Sequence, residues 1–151
     1  MRALTPALTA LAAAATLAAC GGDETLSATE YRAEAKTICE QADTATKAIT
    51  TPTKPTAEAI STYFRDLLKP NEQATSRFAE LEPPEELEAA HDEILQVNRA
   101  GAKVVRDVIR DVDAGKDPVT VLQSATTELR TLNSRAAAAA GKLGVPACAD
   151  E

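Results

Sequence analysis

The sequence predicts an all-α protein, an antiparallel up-down four-helix bundle with helix 2 kinked or split at Pro70, preceded by a signal peptide and a short tether. Two observations support this fold class. Four segments carry apolar residues at alternating spacings of three and four, the pattern of a helix with one buried face. Short connections containing proline or glycine separate these segments, and none of them alternates apolar and polar residues as a half-buried strand does.

The amino-terminal segment has the pattern of an export signal. Residues 3–19 are uncharged, follow Arg2 and end in the tetrad "LAAC", after which the sequence becomes polar. This tetrad resembles the lipobox of bacterial lipoproteins, in which the cysteine is acylated and becomes the first mature residue. We therefore expect a signal peptide at residues 1–19 and a lipid on Cys20, with an ordinary signal peptide or a core helix as the alternatives. The apolar stretch is shorter than the about 20 residues that a membrane-spanning helix needs.

The expected mature chain is acidic. The full chain contains 16 basic and 23 acidic residues, so the loss of Arg2 with the signal peptide leaves a formal charge of −8. Nucleic acids and anionic lipid surfaces both select clustered Lys and Arg, which argues against nucleic-acid binding and against a domain lying flat on the membrane. We expect an exported monomer with one domain at residues 27–151, anchored by lipid to the outer face of the cell membrane or to the periplasmic membrane surface.

A lipidated tether at residues 20–26 precedes the first predicted helix. Ser27 and Glu30 have the spacing of a capping box, so the helix begins at this point. Its apolar stripe comprises Tyr31, Ala35, Ile38, Ala42, Ala45 and Ile49. The proline-containing segment "TTPTKPT" then ends the helix.

The second helix is predicted to follow Thr56. Its stripe comprises Ile60, Phe64, Leu67, Ala74, Phe78 and Leu81. Because a proline removes one backbone hydrogen bond and clashes with the preceding turn, Pro70 is expected to kink this helix near Lys69 or to split it in two. The segment "EPPEE" at residues 82–86 ends it.

The third helix is predicted to take Pro84 as its first residue and to end at Gly115. Its stripe comprises Leu87, His91, Ile94, Asn98, Gly101, Val105, Val108 and Val112. Asp117 as cap and Pro118 as first residue open the fourth helix, which ends before Gly144. The fourth stripe comprises Leu122, Ala125, Leu129, Leu132, Ala136, Ala139 and Leu143.

Once Cys20 is acylated, two cysteines remain, and an oxidising compartment favours a disulfide between Cys39 and Cys148. Two free thiols or a metal site are the alternatives, although two sulfurs and one histidine do not complete a zinc set. Cys39 lies about 18 Å along its helix, a distance that residues 144–148 cover only if nearly straight. We therefore expect the fourth helix to end near residues 141–144 and the first turns of the first helix to project beyond the bundle.

The sequence contains no recognisable catalytic constellation. Glu88 and His91 form the E-x-x-H pair that di-iron bundles carry twice, but it occurs once here and the chain has a single histidine. A partly buried histidine bonded to a polar neighbour is the simpler interpretation. The sole methionine, Met1, belongs to the signal peptide, so haem would lack a second ligand. We expect no metal, no cofactor and no catalysis.

Two features of the third helix suit a binding role. Asn98 and Gly101 lie on its core stripe, where they either line a small pocket or set helix register and close packing. Together with His91 they are the candidate ligand-facing residues. The second feature is a basic stripe, which comprises Arg99, Lys103, Arg106 and Arg110. This stripe is either a docking patch for an acidic partner or a solvated face paired with the aspartates between its members.

Three further segments carry a family pattern. They are an L-x-P-P-x-E-L turn at residues 81–87, the "AAHD" at 89–92 and the "KLGVPAC" at 142–148. Together with the "LAAC" tetrad they resemble small secreted lipoproteins of high-GC bacteria. The resemblance supports the lipid anchor and the helical architecture and assigns no function.

These observations lead to two functional hypotheses. The first is a lipid-anchored extracytoplasmic module that binds a protein partner in the cell envelope without catalysis. The alternative is a carrier or sensor of a small apolar ligand held between the helices. A tightly packed core favours the first hypothesis, and a pocket on the order of several hundred cubic ångströms at Asn98 and Gly101 favours the second.

Cys20→Ser removes the predicted acylation site. We expect this variant to leave the membrane fraction and appear in the soluble fraction, because the acyl chains are the proposed anchor. Cell fractionation followed by immunoblotting measures the change, and Val119→Ala, which leaves the lipobox and both other cysteines intact, is the control. A mature amino terminus at any residue other than Cys20 would contradict the assignment.

Overall fold

The computed structural model describes residues 26–149, and all regular elements in this range are helical. The elements are α1 (Ala28–Lys47), α2 (Ala57–Ala79), α3 (Glu85–Asp113), α4 (Pro118–Leu143) and a 3₁₀ turn at Pro146–Cys148. No strand occurs among the described residues, so the predicted all-α class with four helices is confirmed. The predicted signal peptide, Cys20 and the rest of the tether up to residue 25 lie outside the described residues.

The helices begin where the capping signals lie. Ser27 Oγ accepts a hydrogen bond from Glu30 N at 3.3 Å, and a Glu30 carboxylate oxygen accepts one from Ser27 N at 3.1 Å, which confirms the predicted capping box. Thr56 and Asp117 cap α2 and α4 with their side chains. Pro84 is the N-cap of α3 instead of its first helical residue, because its backbone is extended with a ψ of 154°.

Helix α2 runs without interruption through Pro70, so the predicted split does not occur. A proline in a helix interior costs about 3 kcal/mol, and tertiary packing on both sides of it offsets that cost here. On one side Ile60 packs with residues of α3 and α4. On the other side Phe78 packs with residues of α1 and α3. The kink at Pro70 stays a prediction.

The buried side chains form two apolar clusters. The first cluster draws on all four helices and includes Tyr31, Ile38, Phe78, Ile94, Ala139 and Leu143. The second cluster is built by α2, α3 and α4 and includes Ile60, Val97, Val104, Val108, Ala125 and Leu132. Because α1 contributes no residue to the second cluster, three helices alone form this part of the core.

The prediction that the first turns of α1 project beyond the bundle is wrong. Tyr31 and Ala35 are both 0% exposed. The later positions of the predicted stripe are the ones outside the core, since Ala45 is exposed and Ala42 and Ile49 are only half-buried. A tyrosine ring buries far more apolar area than an alanine methyl group, so the start of α1 binds the bundle more strongly than its end.

The end of α4 is attached to the start of α1. Gly144 has a left-handed φ of 73° and ends α4 where the sequence predicts. Arg32 Nε donates a hydrogen bond to the Leu143 carbonyl at 2.8 Å. Because α4 ends beside Arg32, only about 10 Å of helix separates this point from Cys39, and no projection of α1 is needed. Cys148 Sγ lies 1.98 Å from Cys39 Sγ, with the Cα atoms 5.1 Å apart, so the predicted pair is at disulfide distance.

Replacing both cysteines, Cys39→Ala with Cys148→Ala, should lower the free energy of unfolding by about 4 to 5 kcal/mol. The reason is that the pair closes a loop with a sequence separation of 109 residues, which restricts the unfolded chain. Denaturant unfolding followed by circular dichroism measures the loss. Val119→Ala, at a side chain that is 53% exposed, is a control that should change stability little. An unchanged unfolding midpoint in the double variant would contradict this expectation.

Candidate ligand-binding groove

A groove with a volume of about 320 Å³ lies among α2, α3 and α4. Residues from all three helices line it, among them Leu67, Asn71, Asn98, Gly101, Leu129 and Ala136. Thr46 of α1 and residues 148–149 of the C-terminal turn also contribute to its lining. The groove therefore contains both residues that the sequence suggests for a pocket.

The groove lies beside the second apolar cluster, where α1 does not complete the four-helix core that the sequence predicts. Leu67, Asn98, Gly101 and Leu129 all belong to predicted core stripes, yet each is only half-buried. Helix α1 supplies no buried residue at this level and reaches the groove only through Thr46. In a closed four-helix bundle a fourth helix would cover these side chains. Here they line an open groove instead.

The surroundings of Gly101 favour a pocket over close helix packing. A Cβ atom built on Gly101 would have no atom within 4 Å of it. Glycine is consequently not required for a neighbouring backbone to approach, which was the alternative explanation for this residue. Its effect is to leave space in the lining of the groove.

The surroundings of Asn98 lead to the same conclusion. Its amide has no hydrogen-bond partner among residues 26–149, whereas a register-setting asparagine pairs with a polar group of a neighbouring helix. By contrast, Asn71 Nδ2 donates to the Leu67 carbonyl at 2.9 Å within its own helix. Asn98 therefore presents an unpaired carbonyl and an unpaired amide NH₂ group to the groove.

His91 lies outside this groove, in the first apolar cluster. It is 5% exposed, and its Nδ1 lies 2.8 Å from the Tyr31 hydroxyl oxygen. The Phe78 ring stacks on the imidazole with 5.1 Å between ring centroids. Burial lowers the pKa of His91, with smaller effects of Asp92, which raises it, and Arg99, which lowers it. The histidine is thus a neutral, hydrogen-bonded core residue, as the simpler interpretation of the sequence has it.

The E-x-x-H pair does not belong to a metal-holding group among the described residues. Glu88 is exposed, and residues 26–149 contain no group of three or more His, Cys, Asp or Glu side chains placed to hold a metal ion. The buried Ser61 hydroxyl donates to Asp113 Oδ1 at 2.6 Å, which joins α2 to the end of α3. The single histidine is bonded to Tyr31 in the other cluster, so this serine has no imidazole base beside it.

The basic stripe of α3 is largely neutralised within the chain. Lys103 and Arg110 both pair with Asp107, at 2.7 Å and 2.6 Å. Arg106 pairs with Glu72 of α2. Arg99 is exposed at the amino-terminal end of the stripe. The arrangement matches the solvated, ion-paired face that the interleaved aspartates suggest.

Some residues of the groove are absent from the predicted stripes. Tyr63 and Asn71 line the groove but flank the predicted apolar stripe of α2. They lie four residues before and after Leu67, so all three share one helix face. Extending each stripe by its neighbours at i±4 would have identified this row. The participation of residues 148–149 depends on the fold of the C-terminal turn and has no such local signal.

No family model, curated protein or solved structure matches the chain. Among the described residues, no helix combines the length and the apolar character needed to cross a membrane.

Lowering the pH from 7 to 5.5 should decrease the free energy of unfolding, by at most about 1.4 kcal/mol per pH unit for one proton. Because burial holds the pKa of folded His91 below the unfolded value of about 6.5, the unfolded chain binds more protons in this range. The stability is therefore complete above about pH 6.5 and is lost as the pH falls through the folded pKa.

Denaturant unfolding at several pH values measures this slope. His91→Gln, which keeps a hydrogen-bonding group near Tyr31, should be less stable at pH 7 and should lose the slope above pH 5.5. Glu93 and Asp107 do not interfere, because hydrogen bonds from Arg135 and Lys103 lower the pKa of each from ordinary values of 4.5 and 3.8. An identical slope in His91→Gln would assign the effect to another group.

Proposed function

We propose that this chain is an exported, lipid-anchored and non-catalytic binding module whose helical domain holds a small apolar ligand in the groove at Asn98 and Gly101. The observation that carries this proposal is the groove itself, about 320 Å³ in volume and lined mainly by apolar side chains of three helices. Small-molecule sites in helical bundles lie between helices and have volumes from about 300 Å³ upwards.

The composition of the groove supports ligand binding. Leucine and valine side chains that remain half-buried at predicted core positions expose apolar area to water, which is unfavourable at roughly 25 cal/mol per Å². A ligand that covers these side chains recovers that free energy. Gly101 has no side chain and Ala136 has a single methyl group, so both leave room for a ligand between the helices.

The proposed lipid on Cys20 would hold this groove near the membrane. The tether at residues 20–26 reaches roughly 20 Å when extended, at about 3.4 Å per residue. Apolar molecules partition into the bilayer, so a groove close to its surface would encounter them at high local concentration.

The same proposal includes the antiparallel up-down order of the helices and a monomeric domain. The membership of the first cluster supports the helix order. It combines residues from the starts of α1 and α3, such as Tyr31 and Leu87, with residues from the ends of α2 and α4, such as Phe78 and Leu143. Docking of an envelope protein on the basic stripe has less support, because three of its four cations already have acidic partners in the chain.

Gly101→Leu should fill the groove and weaken binding of the uncharged fluorescent probe 1-aminoanthracene at least about tenfold. The helix itself should be stabilised by about 1 kcal/mol, because glycine is a poor helix former and the added Cβ meets no atom within 4 Å. Fluorescence titration measures affinity, and thermal unfolding confirms that the fold is retained.

Ala138→Leu is the matched control, since Ala138 is exposed on α4 outside the groove. This variant should bind the probe as the unmodified chain does. Equal probe affinity in Gly101→Leu and the unmodified chain, or no saturable binding to either, would overturn the proposed function.

A further inference from the structure

Charge distinguishes the groove at Asn98 from other surface depressions of the described residues. Two depressions between α1 and α2 include Lys69, and a third on α3 includes Asp92 and Arg99. The groove at Asn98 has no Asp, Glu, Lys, Arg or His in its lining, although 26% of the chain is charged. An ionised group placed in this groove would lose hydration and find no opposite charge, which is strongly unfavourable.

The lining is nevertheless not purely apolar. The Asn98 amide lies in the wall of the groove without a hydrogen-bond partner among the described residues, as do the Asn133 amide and the hydroxyl groups of Thr46 and Tyr63. Of these four side chains, Asn98 is the one on a predicted core stripe. A purely hydrocarbon ligand would cover this amide, remove its contact with water and leave its hydrogen bonds unmade. A ligand with one neutral donor or acceptor at this point avoids that cost.

The volume limits the size of the ligand. About 320 Å³ corresponds to roughly ten water-sized groups of about 30 Å³ each. This suits one alkyl chain of about ten carbons or a compact ring system. A lipid with two long acyl chains would leave most of its apolar surface outside the groove.

We infer that the ligand is an uncharged amphiphile, a single apolar chain or ring system with one neutral hydroxyl, carbonyl or amide group that binds Asn98. This inference rests on the proposed function and specifies the chemistry of its ligand. A charged amphiphile has two orientations in the groove. With its head group inside, the charge is desolvated and unpaired. With its head group in water, the apolar chain covers Asn98.

Three probes with one chain length test the inference: decan-1-ol, decanoate and decyltrimethylammonium. Isothermal titration calorimetry below the micelle concentrations, at pH 7.5 and without detergent, gives their affinities. The full chain should carry Cys20→Ser, so that no acyl group competes for the groove. Decan-1-ol should bind at least about tenfold more tightly than either ion, a difference of about 1.4 kcal/mol.

Asn98→Leu tests the position of the hydrogen bond. It should weaken decan-1-ol binding about five- to tenfold. It should not weaken decanoate binding, because an apolar chain over the substituted leucine no longer covers an unpaired amide. Asn98→Ala repeats the test without added volume, and circular dichroism verifies the fold of both variants. Gln123→Leu, at an exposed position of α4, is the control and should bind decan-1-ol normally.

The outcomes separate this inference from the proposed function. Equal affinities for the three probes, tighter binding of either ion, or decan-1-ol binding unaffected by Asn98→Leu would overturn the inference while leaving the groove a binding site. Failure of all three probes while 1-aminoanthracene binds would overturn it as well. Failure of 1-aminoanthracene together with the three probes would overturn the proposed function.

Discussion

The fold depends on the attachment of the end of the chain to the first turns of α1. The Tyr31 ring occupies the first apolar cluster, and its hydroxyl is hydrogen-bonded to His91 of α3. On the same part of α1, Arg32 binds the last carbonyl of α4, and Cys39 lies at disulfide distance from Cys148. Each contact joins α1 to a segment more than 50 residues away in sequence, as the separations of 60, 111 and 109 residues show. Apart from Tyr31, the buried residues of α1 are Ala35 and Ile38, so these contacts account for much of its attachment to the bundle.

The groove follows from this one-sided attachment. Beyond Ile38, α1 offers alanine and threonine to the bundle, which bury little apolar area, so its second half adds nothing to the second cluster. Valine and alanine on α3 and α4 are too short to fill the remaining space. A groove that exposes half-buried leucines lowers stability, and the pairing of Cys39 with Cys148 offsets part of that loss. The same features that weaken the core thus create the proposed binding site.

Predictions that rest on interactions between residues close in sequence agree with the structure better than predictions that depend on packing between helices. The box at Ser27 and Glu30 involves hydrogen bonds between residues three apart, and it forms as predicted. Pro70 shows the limit of local reasoning, because packing of both halves of α2 keeps the helix continuous. The predicted projection of α1 rests on the distance between Cys39 and the end of α4, and it is wrong because Tyr31 is buried and bonded to His91 of α3. The cysteine count identifies the distant Cys39–Cys148 pair, but no spacing in the sequence identifies the hydrogen bond between Tyr31 and His91.

The amino-acid sequence alone predicts the helical class, the helix ends at Ser27, Asp117 and Gly144, and the candidate residues Asn98 and Gly101, because short-range spacing encodes caps and buried faces. It left the meaning of those two residues open between packing and a pocket. The packing of the helices favours the pocket, because no atom lies within 4 Å of a Cβ built on Gly101 and the Asn98 amide has no partner among the described residues. A groove forms where the helices do not fill the space between them. Here α1 contributes buried residues to the first cluster and none to the second.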